Sequence, residues 1–288
     1  MILCIVGPTG VGKTKLSVEL AKKYNGIIIN VDAMQVYIGM NIGTAKIKEE
    51  EKEGIPHYLF DIKDVKENYT VFDYQKDARK IIEKNQDKNI IFVGGTGLYL
   101  KACLYSYEFN KEEYSMKSYD KLTNEEVYEL VKKKDPNMNI HLHNRKRLIR
   151  FLNKENIEIP AAKPLYNAIY IGLTCERNML YERINKRVDL MFNEGLEKEV
   201  RLFYDQKINS KALSTAIGYK ELFRYFDGEI TLDEAKDLIK KNSRHYAKRQ
   251  YTWFNNQMDI TWFNVDFDNF NNIVQEVEKY INEKIIKK

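Results

Sequence analysis

The sequence contains little cysteine: three residues in 288. Cys4, Cys103 and Cys175 are odd in number and widely separated, so they form neither a disulfide framework nor a zinc-binding pattern. Their scarcity is typical of a protein in a reducing cytosol, and we predict that they are inert core residues. The longest apolar runs, such as Ile2–Val6, are too short to cross a bilayer, and no secretory signal can be recognised. The sequence therefore predicts a cytoplasmic protein.

The sequence also lacks a large excess of positive or of negative charge. The net charge is +5, which alone is weak evidence for nucleic-acid binding. The basic residues are nevertheless concentrated. Residues 145–150 contain four cations and no acid, and residues 236–249 contain six cations and one acid, Asp237. These two stretches are candidate contacts for a polyanion.

The first hundred residues alternate short apolar runs with helical patterns, as βαβ units do. We predict buried strands at Ile2–Val6, Gly26–Val31 and 89–93, with helices at 12–24, 71–86 and 98–104. Apolar strands of this kind are expected in a parallel sheet that helices cover on both faces.

The pattern changes between residues 105 and 165, where two helical stretches, 123–134 and 143–155, occur without a convincing strand. Strand character returns at 168–173, followed by helical regions at 176–206 and 216–256 and a last strand at 260–265. The sequence therefore predicts an α/β fold. Its P-loop parallel-sheet core comprises residues 1–104 and 166–288, and an α-helical insertion comprises residues 105–165.

A glycine-rich stretch, GPTGVGKT at 7–14, follows the first strand and opens the first helix, which is the context of a P-loop. Such a loop directs backbone N–H groups and a helix N-terminus toward phosphate oxygens. Lys13 would add a positive charge, and the Thr14 hydroxyl suits Mg²⁺. The motif predicts a polyphosphate site without identifying the phosphate.

Two features of nucleotide-hydrolysing P-loop proteins are absent from the sequence. No guanine-recognition motif Asn-Lys-x-Asp occurs, and the predicted strand 89–93 ends in Gly-Gly-Thr-Gly rather than in a metal-binding Asp. The acid at a strand end is Asp32 instead. Because neighbouring parallel strands share one crevice at their carboxyl ends, Asp32 should face the P-loop. It would serve there as a turn cap or as a base that takes a proton from a nucleophile.

Six further stretches, together with the P-loop, resemble the tRNA dimethylallyltransferases, also called isopentenylpyrophosphate transferases. In order along the chain they are DAMQVYIGMNIGTAK at 32–46, GIPHYLFD at 54–61, GGTGLYLKA at 94–102, RVDLMFNEGLEKEV at 187–200, AIGYKEL at 216–222 and SRHYAKRQYTWF at 243–254. The resemblance implies transfer of a dimethylallyl group from dimethylallyl diphosphate to the exocyclic amine of the adenosine that follows the tRNA anticodon. Pyrophosphate leaves, and Mg²⁺ assists as cofactor. It also implies a tRNA-binding insertion, and we expect a monomer.

The resemblance assigns roles residue by residue. Asp32 would be the catalytic base, and Thr96 would approach the substrate nucleoside. The residues that would bind the donor diphosphate are Gly7, Pro8, Thr9, Gly10, Val11, Gly12, Lys13, Thr14, Arg183 and Arg187. The residues that would contact tRNA are Asp32, Ala33, Met34, Gln35, Thr96, Lys146, Arg147, Leu148, Ile149, Arg150, Arg244, Lys248 and Arg249. Ala33 departs from the family, which usually has Ser at this position, and a hydroxyl contact is thereby lost.

Several alternatives stay open at the level of sequence. Arg183 and Arg187 lie four residues apart and form either a diphosphate contact or a solvated helix face. An adenylate isopentenyltransferase would share the loop and Asp32 but act on free AMP, ADP or ATP. A small-molecule kinase would transfer phosphate from ATP. A non-enzymatic RNA-binding module is the last alternative, and Asp32 together with an intact Lys13 argues against it.

Overall fold

The computed structural model describes residues 1–108, 118–153 and 162–286. The chain forms two compact units, one made of Met1–Ser106 and Pro164–Lys288 and the other of Tyr107–Lys163. The predicted insertion at 105–165 includes residues 109–117 and 154–161, which lie outside the described residues. Within the described residues, no helix has both the length and the apolar character needed to span a membrane.

The larger unit contains a six-stranded sheet in which every neighbouring pair is parallel, in the order β3-β2-β4-β1-β5-β6. The strands are β1 (Ile2–Val6), β2 (Gly26–Val31), β3 (His57–Tyr58), β4 (Asn89–Gly94), β5 (Ala168–Thr174) and β6 (Thr261–Asn264). Val6 of β1 and Val31 of β2 both pair with Gly94 of β4. The three strands therefore end level, and the segments that follow them leave the same edge of the sheet.

Helices cover both faces of this sheet. They are α1 (Lys13–Lys23), α2 (Val71–Lys84), α3 (Gly97–Leu104), α6 (Arg177–Glu194), α7 (Leu196–Asp205), α8 (Lys211–Thr215), α9 (Tyr219–Phe226), α10 (Leu232–Gln257) and α11 (Phe270–Ile286). Successive residues of β1 point to opposite faces. Cys4 packs on the side of α2 and α3, whereas Leu3 and Ile5 pack on the side of α1 and α11. Two apolar cores thus hold the sheet in place.

The smaller unit has two described helices, α4 (Asn124–Lys134) and α5 (Arg145–Asn153), which pack around Val127, Val131 and Leu148. The capping box of α4 is formed as its sequence indicates. The Glu126 backbone N–H donates to Thr123 Oγ1 at 3.2 Å, and the Thr123 N–H donates to Glu126 Oε2 at 2.7 Å. The predicted helix 143–155 is described from Arg145 to Asn153, and its last two residues lie outside the described residues.

The α/β class and the long strands agree with the sequence-based prediction, and the differences are local. The helical region 176–206 consists of two helices that meet at Gly195, where φ is 103°. The region 216–256 holds α9 and α10, separated by a turn at 227–231. Strand β3 was missed because two residues carry no periodic pattern. Cys4 and Cys103 are buried as expected, whereas Cys175 is partly exposed.

Candidate active site

A cavity of about 730 Å³ opens at the edge of the sheet where β1, β2 and β4 end. Its lining comes from the phosphate loop, the segments that follow β2 and β4, helix α6 and one face of α10. Among the described residues, its lysine, arginine and acidic side chains are Lys13, Asp32, Arg183, Lys186, Arg187, Lys220 and Arg249. Six cations against one carboxylate make the cavity attractive to a polyanion.

The phosphate loop has the backbone shape that its glycines allow. Gly7, Gly10 and Gly12 have φ values of 137°, 89° and 91°. A Cβ atom at Gly7 would lie only 2.4 Å from the carbonyl oxygen of Leu173, so no other residue fits there. Lys13 opens α1, and its Nζ donates a hydrogen bond to the Pro8 carbonyl at 2.7 Å. The side chain of Lys13 is thereby folded back over the loop.

The electrostatic state of Lys13 is unusual. Burial lowers its pKa to about 7, the positive charge of Arg187 adds to this effect, and Asp32 opposes it. The ammonium form is costly in this surrounding because the side chain is partly desolvated and lies near a second cation. A bound diphosphate would relieve the cost by supplying negative charge.

Arg183 and Arg187 of α6 both reach the phosphate loop. Arg187 Nη1 donates to Thr9 Oγ1 at 2.8 Å, and Arg183 Nε donates to the Gly10 carbonyl at 3.1 Å. Burial lowers the pKa of Arg187, with Asp32 acting in the opposite direction. Arg183 is exposed and stacks 3.6 Å from the centre of the Phe267 ring. The two arginines are therefore part of the loop's surroundings rather than a free solvated face.

Asp32, directly after β2, uses its two carboxylate oxygens differently. Oδ1 accepts hydrogen bonds from the backbone N–H groups of Met34 at 2.8 Å and Gln35 at 3.4 Å, which caps the turn. Oδ2 has no hydrogen-bond partner among the described residues, and Asp32 lines the cavity. Asn30 holds the backbone of Asp32 through a 2.9 Å bond from the Asp32 N–H to Asn30 Oδ1. One carboxylate thus caps a turn and also presents an acceptor to the cavity.

Thr96 is not among the residues that line the cavity, and it bonds to the residue that follows Asp32. Its Oγ1 accepts the backbone N–H of Ala33 at 3.2 Å. Burial, with Asp32 as the second cause, raises the pKa of Tyr246 to about 12, and hydrogen bonds with Thr96 and Gln250 oppose the rise. Tyr246 itself lines the cavity. The Thr96 hydroxyl therefore supports the two residues that flank the carboxylate.

Gln250 is a buried residue of the site to which sequence reasoning gave no role. Its Oε1 accepts the backbone N–H of Thr9 at 3.1 Å, and its Nε2 donates to the Gly95 carbonyl at 3.2 Å. One side chain thus joins the phosphate loop to the segment after β4. Ser243, Tyr246 and Gln250 share one face of α10 and line the cavity. The sequence signal for this shared face is the spacing of three and four residues between them, which places side chains on the same side of a helix.

The residues assigned to tRNA fall into two groups. Besides Asp32, four of them line the cavity, namely Ala33, Met34, Gln35 and Arg249. Lys248 is exposed outside the cavity. Arg244 Nη1 donates to Asn185 Oδ1 at 2.6 Å.

The rest lie on α5 of the smaller unit. Lys146, Arg147 and Arg150 are exposed there, and Ile149 is half-buried. Leu148 is fully buried in the core of that unit, so its side chain is not available to RNA.

The residues around Thr14 suit a magnesium ion that is shared with a substrate. Thr14 lines the cavity, and its hydroxyl has no protein partner among the described residues, whereas the Ser17 hydroxyl donates to the Thr14 carbonyl at 2.7 Å. No group of three acidic, histidine or cysteine side chains in the described part of the chain could hold a metal alone. Mg²⁺ typically takes one or two protein ligands and completes its shell with phosphate and water. The Thr14 hydroxyl fits that pattern.

A parallel sheet with a P-loop, a strand-end carboxylate and a cationic cavity lined by both defines a P-loop α/β protein with an anion-binding site. The IPP transferase family profile matches residues 35–257. The chain is 45% identical to the tRNA dimethylallyltransferase of Anoxybacillus flavithermus, over 98% of this chain and 96% of that protein. It is 44% identical to the Bacillus subtilis tRNA dimethylallyltransferase, over 92% and 90% of the two chains. The chain belongs to the IPP transferase family.

Two solved structures agree with this assignment. The full-length tRNA isopentenylpyrophosphate transferase of Bacillus halodurans is 42% identical, with a TM-score of 0.78 over 99% of this chain and 97% of that one. A eukaryotic dimethylallyltransferase described as acting on tRNA is 26% identical, with a TM-score of 0.79 over 99% and 79% of the two chains. The resemblance recognised in the sequence is confirmed, and the protein is a prenyltransferase.

Proposed function

We propose that this protein transfers the dimethylallyl group of dimethylallyl diphosphate to the exocyclic amine of the adenosine 3′-adjacent to the anticodon in tRNA, releasing pyrophosphate. The observation that carries the proposal is the pairing, in one cavity, of a P-loop with an Asp32 oxygen that no group of the described residues engages. The nearly full-length similarity to tRNA dimethylallyltransferases supports the same reaction.

In this proposal the phosphate loop holds the donor's diphosphate. Charge grows on the leaving oxygen as the carbon–oxygen bond breaks, and cations fixed around it stabilise that charge. Lys13 and Arg187 are two half-buried cations at the loop, and the exposed Arg183 bonds to its Gly10 carbonyl. Asp32 offsets part of their mutual repulsion, and a bound anion would relieve more of it. The donor is therefore attracted most strongly at the position where pyrophosphate forms.

The acceptor amine is a weak nucleophile because its lone pair is delocalised into the adenine ring. The nitrogen lone pair forms the new bond to the prenyl carbon as the carbon–oxygen electrons leave with pyrophosphate. The displaced amine proton passes to Asp32 Oδ2, which acts as the general base. Oδ1 keeps its bonds to Met34 and Gln35 and so fixes the direction in which Oδ2 points.

The Thr14 hydroxyl would hold the proposed Mg²⁺ cofactor. When bound, the ion would supply positive charge to the diphosphate oxygens. The protein contributes the hydroxyl, and the Ser17 bond to the Thr14 carbonyl fixes the start of α1 behind it.

The proposed macromolecular partner is the anticodon stem-loop of tRNA. A base inside a folded loop must leave its stack to be modified, which requires a deep pocket of the kind found here. The exposed cations of α5 and of α10 would contact phosphates. We propose a monomer, because one chain supplies the carboxylate, the loop and the cations. The proposed location is the cytoplasm.

Isotopically labelled dimethylallyl diphosphate tests the proposal. The protein is incubated with the label and with either an unmodified tRNA transcript or free AMP, ADP and ATP. We expect label in the purine next to the anticodon and little on the free nucleotides. Label on free nucleotides alone would instead identify an adenylate isopentenyltransferase. Phosphate transfer from ATP without any use of the prenyl donor would identify a kinase.

A further inference from the structure

Both carboxylate oxygens of Glu199, on α7, accept hydrogen bonds from the loop at residues 41–45. Oε2 accepts the backbone N–H groups of Asn41 at 3.1 Å and Ile42 at 2.8 Å, and Oε1 accepts that of Gly43 at 3.1 Å. The Tyr219 hydroxyl donates to Oε1 at 2.5 Å. Charge-assisted bonds of this kind are stronger than neutral ones. Glu199 therefore anchors the loop from a helix that lies about 160 residues away along the chain.

Tyr219 reinforces the anchor by close packing. It is fully buried, and a Cβ atom at Gly43 would lie 2.5 Å from its ring, so the loop and the ring meet only because residue 43 is glycine. Burial, with the charge of Glu199 as the second cause, raises the pKa of Tyr219. The phenol is therefore a hydrogen-bond donor throughout the physiological range.

The other end of the 41–45 loop determines how the Gln35 amide is oriented. Gln35 Nε2 donates to the carbonyls of Thr44 at 2.9 Å and Ala45 at 3.3 Å. Carbonyl oxygens only accept, so the amide must turn its two hydrogens toward the loop. Its Oε1 has no partner among the described residues, and Gln35 lines the cavity beside Asp32.

We propose that Gln35 is a specificity-determining residue whose Oε1 accepts one N–H of the substrate's exocyclic amine, and that Glu199 is the positioning residue that holds Gln35 in this orientation. The inference rests on the proposed function. A primary amine has two N–H groups that can donate hydrogen bonds. Asp32 Oδ2 and Gln35 Oε1 are two acceptors on residues that line the same part of the cavity. A purine with a carbonyl at that position would face two acceptors and be rejected.

A double-mutant cycle tests the link between the two residues. Gln35→Met removes the amide with little change in size, and Glu199→Gln places an amide N–H₂ against an N–H or phenol donor. We expect Gln35→Met to lower kcat/KM for anticodon stem-loop RNA about tenfold and Glu199→Gln about fivefold, with KM for the donor unchanged. If Glu199 acts through Gln35, the double variant should be no slower than Gln35→Met alone. Glu197→Gln, on the same helix but outside these bonds, is the matched control.

The outcomes separate the possibilities. If the loss of kcat/KM in the double variant equals the product of the two single losses, the proposal is overturned. It is also overturned if Glu199→Gln raises KM for donor and RNA equally. If Glu199→Gln does not fold, Tyr219→Phe, which removes only the phenol bond, replaces it in the cycle under the same expectation. A wild-type protein that prenylates no RNA would overturn the proposed function and this inference together. If the wild-type protein turns over normally but the effects of the two substitutions are independent of each other, this inference alone is overturned.

Discussion

The two walls of the cavity are built differently. The phosphate loop takes its backbone shape from its own glycines and from the Lys13–Pro8 bond, and Arg187 and Gln250 then bond to its Thr9. The wall at residues 32–45 depends on distant residues, because Thr96 holds Ala33 and Glu199 holds residues 41–43. The backbone of the first wall is therefore set mainly by its own glycines, whereas the backbone of the second wall is held by residues far along the chain. We expect Thr96 and Glu199 to tune the acceptor more than the donor.

The largest effect should come from the carboxylate of the second wall. Asp32→Asn keeps an oxygen to cap Met34 and Gln35 but removes the base, so we expect kcat to fall by ~10²-fold or more. Donor KM should stay nearly unchanged, because the phosphate loop is intact. Steady-state kinetics with stem-loop RNA measures both constants. Asp32→Ala, which removes the cap as well, should also lower the free energy of unfolding by about 1 kcal/mol. Near-normal turnover of Asp32→Asn would remove Asp32 from the chemistry.

Gln250 joins the phosphate loop to the segment after β4, whose Thr96 holds Ala33 of the second wall, so changing Gln250 should affect both walls. Gln250→Met leaves the Thr9 N–H and the Gly95 carbonyl without their partner, and each unpaired group costs about 1–3 kcal/mol. We expect KM for donor and for RNA to rise together, each by about tenfold. Thermal unfolding and steady-state kinetics measure the two effects. Gln257→Met, an exposed change on the same helix, is the control, and a rise confined to one substrate would disprove the joining role.

Lys13 should give the phosphate loop a pH dependence that the other wall lacks. Its pKa of about 7 in the free protein means that the side chain is protonated below pH 7. Above that pH, binding of an anion must also take up a proton, and the donor Kd should therefore rise about fivefold between pH 7 and pH 8.

Lys13→Arg is the control because its guanidinium stays charged throughout this range. Titration of the diphosphate itself is common to both proteins, so the difference between their Kd curves isolates Lys13. Parallel curves would show that Lys13 keeps its proton in the free protein.

The smallest effect should come from the smaller unit. Arg147→Ala removes one exposed cation from α5, and we expect KM for tRNA to rise about threefold at low salt and less at high salt. Donor KM should not change. Lys133→Ala, at an exposed position on α4, provides a charge-matched comparison. Equal losses in the two variants would indicate general attraction rather than a contact at α5.

The sequence predicts what is local and misses what is distant. The P-loop, its strand–helix context and the strand-end position of Asp32 follow from spacing within short stretches, as do all strands of the parallel sheet except the short β3. The spacing of Tyr246 and Gln250 indicates only a shared helix face, and Glu199 carries no signal, because their partners at Thr9, Thr96 and Gly43 are known only once the chain has folded. For the same reason Leu148, which sits in a basic stretch of the sequence, proves to be a core residue of its unit.

The central claim is that one oxygen of Asp32 takes the amine proton while the phosphate loop holds the leaving diphosphate. The most direct test is a crystal structure of the protein with an unreactive analogue of dimethylallyl diphosphate and an anticodon stem-loop RNA. We expect Asp32 Oδ2 at hydrogen-bond distance from the purine amine, Oδ1 still on Met34, and the diphosphate at Lys13 and Arg187. A diphosphate bound outside the loop, or an amine out of reach of both Asp32 oxygens, would contradict the claim.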